Sequence, residues 1–491
     1  MLVGWRGVDL PAQLYRVGLF HRDGLTLWDS QWYGGHWTLS CSVIFPPLAG
    51  LIGVQATEVA SAAVAAWSFD RLVLTHFGST ARIGSLIFAV GTLVPVAIGQ
   101  LPFLLGESLA LAACVAASRR RWGMCVALAV AASTASPLAA AFLVLAAVAW
   151  LVASWPRRRL AHAGLAFAQA LPVIGLGVLF PGQGAMPFPT ADFLQLMALF
   201  AGLWMLIPRR ERALRVGAGL YLLAIGLSFA VSTPVGGNIS RLGECVGAPL
   251  AACVLWTHRR WLLAAAVVPL VCLQWSPAFA TFTTNRNDPS THAAYFSPLL
   301  GFLARHAEPA GRVEIVPTRL HWEAAYAAPF VPLARGWERQ LDTADNPLFY
   351  DDELLNPASY HSWLVANGVR YVALPDAPLD YAATKEGRLL EAGVPGLTLA
   401  WHSSNWRVFE VGGAPGLVEG PARLVRLDGG QVVLEASAPG TIVVRVRDSG
   451  RWTLVDGQGC VHATPDGWTA IEVTHAGELR LVLRIVGGDR C

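Results

Sequence analysis

The sequence predicts a polytopic α-helical membrane domain of about ten membrane elements, followed by an extracytoplasmic α/β region and a small C-terminal β-sandwich. The first observation behind this is composition. Of the 491 residues, 54% are hydrophobic and only 14% are charged, against about 25% charged in soluble globular proteins. The second is how charge divides along the chain. Residues 1–276 hold 18 Arg against 9 acids, a net of +9, whereas residues 277–491 hold 17 Arg and Lys385 against 24 acids, a net of −6. The third is a change from long apolar runs to short alternating ones near residue 277. These set the boundaries: 1–40, a first extracytoplasmic loop; 41–276, the transmembrane helical domain; 277–413, an extracytoplasmic α/β domain; and 414–491, a β-sandwich-like domain.

The apolar segments come in order at 43–66, 82–99, 102–118, 122–134, 136–153, 160–180, 191–207, 213–231, 242–256 and 261–276. Several fall short of the ~20 residues that span a bilayer. Ser136-Pro137 interrupts one pair, which reads as a single broken or re-entrant element. Basic clusters at Arg119-Arg120-Arg121, Arg157-Arg158-Arg159, Arg209-Arg210 with Arg212 and Arg215, and Arg259-Arg260 alternate with nearly uncharged loops. By the positive-inside rule the basic loops are cytoplasmic, and residues 1–40 and everything after about 277 lie outside. The first 40 residues then lack a helix or signal peptide to carry them across. The expectation is that a first helix is missing from the start of this chain, which the upstream genomic DNA would show.

In the outer half, Arg312–Val316 and Val369–Leu374 read as buried strands, with a helix near Tyr360–Asn367 between them and a hairpin at 397–411. Beyond Gly412-Gly413, short alternating strands run from Arg423 to Ile485. Turn pairs such as Asp428-Gly429 and Asp456-Gly457 punctuate them, the pattern of a small sandwich. Cys460 and Cys491 are the only cysteines of this half, and a disulfide between them suits an oxidising compartment. The other six sit in or beside apolar runs, where cysteine behaves as a small hydrophobe. None has metal-ligand spacing.

No P-loop, Rossmann turn, H-E-x-x-H, G-x-S-x-G or nucleic-acid signature is present, which disfavours an ATP-driven pump. What remains is Asp9 in Gly7-Val-Asp-Leu-Pro-Ala-Gln13, then Gly24-Leu-Thr-Leu-Trp-Asp-Ser-Gln-Trp-Tyr-Gly-Gly35, then Phe45-Pro-Pro-Leu48 entering the apolar region. This order resembles the first outer loop of GT-C-type membrane glycosyltransferases and related polytopic proteins. There an acidic residue precedes a Gly-x-x-x-Trp-Asp…Gly…Pro-Pro segment that returns to the membrane. Two departures stand out: no helix precedes Asp9, and no second acid adjoins it. The resemblance implies transfer of a sugar from a polyprenyl-phosphate carrier at the outer face of a bacterial plasma membrane. The acceptor would be an envelope glycan, lipid or protein, and the partners membrane lipids and the lipid-linked sugar, with no nucleic acid. The sequence names no cofactor; a divalent metal ion is compatible with the resemblance.

Such chemistry needs a carboxylate base for the acceptor hydroxyl and cationic donors for the departing phosphate. Asp9 is the candidate base, with a helix cap or a salt bridge to Arg6 or Arg16 as the structural alternative. Glu107, near the outer end of its apolar segment, is the assisting acid. Arg241 breaks the charge pattern of the outer loops and is the candidate phosphate ligand, with pairing to Glu244 as the alternative. Gln13, Trp28, Asp29 and His36 are candidate sugar or carrier contacts, against an interfacial aromatic belt. Arg335 and Trp337, in Ala334-Arg-Gly-Trp-Glu-Arg-Gln-Leu-Asp342, are candidates for an acceptor groove, against a buried ion-pair network. Competing functions are a lipid or glycan transporter and a catalytically inactive scaffold in envelope assembly.

Overall fold

Each apolar segment folds as helix in the computed structural model, which describes residues 6–154, 159–180, 184–256, 259–485 and 490–491. Arg157 and Arg158 lie outside the described residues. The chain divides into two units. One comprises Met1–Gln13 and Leu39–Arg286, and the other Leu14–Thr38 and Asn287–Cys491. The stretch 1–40, taken from the sequence as one loop, is therefore shared between units, and it contains a helix over Leu10–Asp23.

The first unit is helical. Four of its helical stretches are long and apolar enough to cross a membrane: Val54–Ile98, Leu101–Ser118, Arg212–Ala230 and Arg260–Asn285. The segments Trp122–Ala135, Pro137–Ala153, Ala170–Leu179 and Thr190–Leu206 are apolar but shorter, at 10–17 residues. Four such stretches among the described residues, rather than about ten, is what length and hydropathy establish. At Ser136 the backbone is extended (φ −155°, ψ 114°), and the Ser136 hydroxyl accepts from the Ala139 N–H, starting the helix Pro137–Ala153. Proline has no N–H to bond back, so the preceding helix ends and a new one begins. Gly106 of Leu101–Ser118 lies against this break: a Cβ there would sit 2.8 Å from both Ser136 Cβ and Ala139 Cβ.

Among the described residues the second unit carries 14 strands. A two-residue hairpin, β1 (Trp28–Asp29) with β2 (His36–Trp37), comes from the N-terminal segment. Next, β3 (Arg312–Ile315), β4 (Val369–Pro375), β5 (Leu397–His402) and β6 (Trp406–Val411) form a sheet in the order β3-β4-β6-β5. Its β3–β4 pair is parallel and the rest antiparallel. Helix Pro357–Ala366, opened by an Asn356–Ser359 capping box, leads into β4.

The remaining strands are β7 (Val418–Glu419), β8 (Ala422–Leu427), β9 (Gln431–Ala436), β10 (Gly440–Arg447), β11 (Trp452–Asp456), β12 (Gly459–Ala463), β13 (Trp468–Val473) and β14 (Gly477–Leu483). They make two antiparallel four-stranded sheets, β12-β13-β10-β7 and β11-β14-β9-β8. Alternate residues of both, among them Leu434, Ile442, Val444, Ile471 and Leu481, enclose one core, as the period of two along a strand requires. Cys460 and Cys491 are disulfide-bonded, which pins the C-terminus beside β12.

Candidate functional site

Asp9 is held in place by its neighbours before its side chain does anything. Gly7 lies so close to the end of helix Leu93–Ile98 that a Cβ on it would come within 2.1 Å of the Ile98 carbonyl. Gly99, at φ +91°, turns the chain there, and a Cβ on it would sit 2.3 Å from the Leu10 nitrogen. Only glycine fits both positions without displacement. Across this contact the Asp9 N–H donates to the Ile98 carbonyl at 2.9 Å, while the Arg6 carbonyl accepts from Asn285 Nδ2 at 2.6 Å.

The carboxylate so placed meets Arg241. Asp9 Oδ2 lies 3.7 Å from Arg241 Nη2, and the side chains remain 28% and 21% exposed. Solvent or a ligand can therefore reach the pair. Two residues far apart in sequence and nominated separately for base and phosphate ligand come together. Of the structural alternatives, Asp9 stands directly before the helix Leu10–Asp23, where a cap would sit, while two of the other partners considered are engaged elsewhere. Glu244 is occupied by the Ser240 hydroxyl, which donates to it at 2.7 Å, and Arg16 pairs with Glu338 at 2.6 Å.

The Arg241 guanidinium also lies over the Phe103 ring, 5.6 Å from its centroid. Phe103 in turn walls a cavity of about 460 Å³ inside the helical unit. Its lining is almost wholly apolar, with Phe69, Phe142, Phe200 and Leu242 among the contributors, and Glu107 is its one carboxyl. Glu107 is buried and accepts a hydrogen bond from the Cys245 thiol. Gln13 is buried too, and its Oε1 has no hydrogen-bond partner among the described residues. Sequence reasoning offered no signal for Phe103 or Cys245, because their importance lies in what they touch.

The remaining candidates sit in the second unit, mostly in interior roles. Trp28 belongs to the core between the two sheets, edge-on to Trp452 and Trp37. Neither a sugar-stacking platform nor an interfacial belt describes a ring that is 4% exposed. Asp29 is fully buried and accepts from the Tyr15 hydroxyl at 2.9 Å and the Gln31 N–H at 3.0 Å; burial pushes its carboxyl up to about 6. His36 stacks on Trp32, and burial, helped by the charge of Arg16, lowers its imidazole to about 3, so it is neutral.

Arg335, expected to line an acceptor groove, points inward instead. It bonds Asp342 through two nitrogens at 3.1 and 2.9 Å and Glu386 at 3.0 Å, with Glu314 3.7 Å away. Its guanidinium also covers the Phe349 ring. Three carboxyls face one guanidinium, and all four side chains are at most 7% exposed. Burial and the adjacent Glu386 push the Glu314 carboxyl well above the usual range. Trp337 stacks face to face on His321 at 3.5 Å, and His321 lies between Glu323 and Asp380, each 3.3 Å from a ring nitrogen. The buried ion-pair network is thus the reading the geometry favours for this stretch.

No group of three or more His, Cys, Asp or Glu side chains among the described residues is placed to hold a metal ion. The surroundings of Asp9 offer no cation cage, and no step is assigned to a metal. Comparisons with protein-family models, curated proteins and solved structures give no match.

Proposed function

We propose that this chain is an integral-membrane glycosyltransferase of GT-C layout, with about ten membrane elements. It transfers a sugar from a polyprenyl-phosphate carrier to an envelope acceptor at the outer face of a bacterial plasma membrane. One observation carries the reading: Asp9 and Arg241 meet beside Phe103, a residue that also walls an apolar cavity. A base, a phosphate donor and a lining suited to a hydrocarbon chain are what the reaction asks for. The acceptor oxygen bonds to the sugar anomeric carbon as the bond from that carbon to the phosphate oxygen breaks. Asp9 takes the acceptor proton, and the electron pair leaves with the carrier phosphate, whose charge Arg241 stabilises. An almost wholly apolar lining with one carboxyl favours a lipid tail over passage of a hydrated glycan, which argues against a glycan transporter.

The alternating basic loops support an orientation with the second unit outside, and the Cys460–Cys491 disulfide suits an oxidising compartment. The test is a transfer assay in proteoliposomes containing a panel of polyprenyl-monophosphate sugars and envelope acceptors, read as release of free carrier phosphate. Absence of release with every donor would retire the enzyme in favour of the scaffold. Orientation is tested separately: Phe330, 73% exposed, replaced by cysteine, is expected to react with an impermeant thiol reagent in intact cells. Protection there would invert the topology.

A further inference from the structure

The structure assigns a second binding site, for a short glycan, to a polar cleft in the α/β region at the carboxyl end of β4. The inference does not depend on the transferase reading, since a scaffold also has use for a glycan-binding surface. In open α/β sheets the carboxyl ends of parallel strands are where ligands settle, because the chain must turn away there and leaves a crevice. Here the crevice has a volume of about 470 Å³, within the ordinary range of ligand pockets.

One wall is the segment that follows β4, and it is rigidly held. Asp376 N–H donates to the Asn405 carbonyl, the Pro378 carbonyl accepts from the Arg319 N–H, and Asp380 N–H donates to the Pro317 carbonyl, at 2.8 to 3.0 Å. The opposite wall is the helix Thr384–Ala392, which comes close because Gly387 faces Leu379: a Cβ would be 2.5 Å from Leu379 Cδ1. The polar lining alternates in sign. Asp376, Thr384, Arg388, Glu391 and Arg407 all contribute and all are exposed. The Asp376 carboxylate has no side-chain hydrogen bond among the described residues, and Arg388 makes only a 3.4 Å bond to the Thr384 carbonyl. Arg407 and Glu391 pair at 3.0 Å while still about half exposed.

A ligand that satisfies carboxylates and guanidiniums side by side must donate and accept from neighbouring positions while carrying little net charge. Sugar hydroxyls do that, with the exposed aliphatic face of Pro378 available to the ring. Two residues beyond Leu379 stands Tyr381, 67% exposed, its ring held by the Arg339 guanidinium 4.7 Å from the centroid. The ring does not line the cleft itself, but it offers a stacking surface to a pyranose that extends past Leu379.

The test uses the full-length protein in lipid nanodiscs, since glycoside detergents would themselves compete for the cleft. The probes are an array of di- and trisaccharides of hexoses, amino sugars and uronic acids, with trialanine as a zwitterionic control. Retention of at least one saccharide is expected. Asp376→Asn and Arg388→Gln, both exposed and therefore tolerated by the fold, should each weaken it about tenfold or more, and Tyr381→Ala should act in the same direction. An array with no retained saccharide would overturn the inference, as would an affinity unmoved by both charge substitutions. Binding of trialanine alone, lost in the same variants, would reassign the cleft to peptides.

Discussion

Two of the arginines that meet carboxylates in this molecule teach opposite lessons. In the helical unit, Arg241 meets Asp9 at 3.7 Å with both side chains partly exposed. In the strand-rich unit, Arg335 is 4% exposed and faces Asp342, Glu386 and Glu314. The second arrangement has more bonds and shorter distances, and three of the five guanidinium N–H groups already donate to carboxylates. It is the poorer site for that reason, because the guanidinium is committed to carboxylates and buried away from any ligand. The first is loose, single and reachable, as a group that must exchange its partner for a substrate has to be. Perturbed carboxyls cluster around Arg335, and perturbation alone would have pointed there. Reachability decides between the two.

The comparison breaks most visibly through paired substitutions. Asp9→Asn keeps size and hydrogen bonding but removes basicity. A loss of about 10²–10⁴-fold in transfer rate is expected, with the protein still folded in the membrane, since general-base catalysis contributes that much. Arg335→Met should do the reverse. Removing one partner of a buried ion network costs about 3–5 kcal/mol of stability, while enzyme that does fold should retain its turnover. Thermal unfolding and carrier release measured on both variants check the contrast. A folded, inactive Arg335→Met would move the site to the strand-rich unit.

A third prediction sharpens the contrast by pH. Burial raises Asp29 from 3.8 to about 6, so its contribution to stability is present below pH 4 and is lost as pH rises to about 6. Such a shift corresponds to roughly 3 kcal/mol. His36 runs the other way. Lowered from 6.5 to about 3, it contributes stability above pH 6.5 that is lost as pH falls toward 3. Between pH 4 and 6 the two slopes oppose each other. Asp29→Asn removes one of them, and the gain in stability from pH 4 to pH 7 should be roughly 3 kcal/mol larger than in the parent. Tryptophan fluorescence during thermal unfolding across that range reads it. Identical pH profiles would mean that Asp29 is not buried as a titrating carboxyl.

Much of this architecture is legible in the sequence, and the exceptions share a cause. Periodicity marks local structure, so the apolar helices, β9 and the β5–β6 hairpin fall where alternation and turn residues put them. Even the Ser136-Pro137 break is visible, because proline's missing N–H is a local fact. Trp28 is different. Its place in the core beside Trp452 depends on a tertiary contact across more than four hundred residues, to which spacing is blind. The same holds for Arg335: a dense polar run looks alike whether it lines a groove or fills an interior. Asp9 and Arg241 could each be nominated from charge pattern, but their meeting could not, nor could the role of Gly7 in setting it.

The smallest expected effect falls on the pair itself. A long, partly exposed ion pair contributes about 0–1 kcal/mol, so Arg241→Gln should leave thermal stability nearly unchanged. Donor affinity should nevertheless fall roughly ten- to a hundredfold, the equivalent of losing one charge-assisted bond to phosphate. Glu244→Gln is the comparison, because Glu244 accepts from Ser240 and reaches Arg241 only through its charge; it should change donor affinity far less than Arg241→Gln. Exchanging residues 9 and 241, as Asp9→Arg with Arg241→Asp, preserves the attraction but moves the base and the phosphate ligand to each other's positions. A purely structural pair would survive that exchange with activity restored, whereas a base and a phosphate ligand would not. Donor titrations of these three variants in nanodiscs therefore decide whether the exposed pair is chemistry or architecture, and an unchanged affinity in Arg241→Gln would remove it from the site.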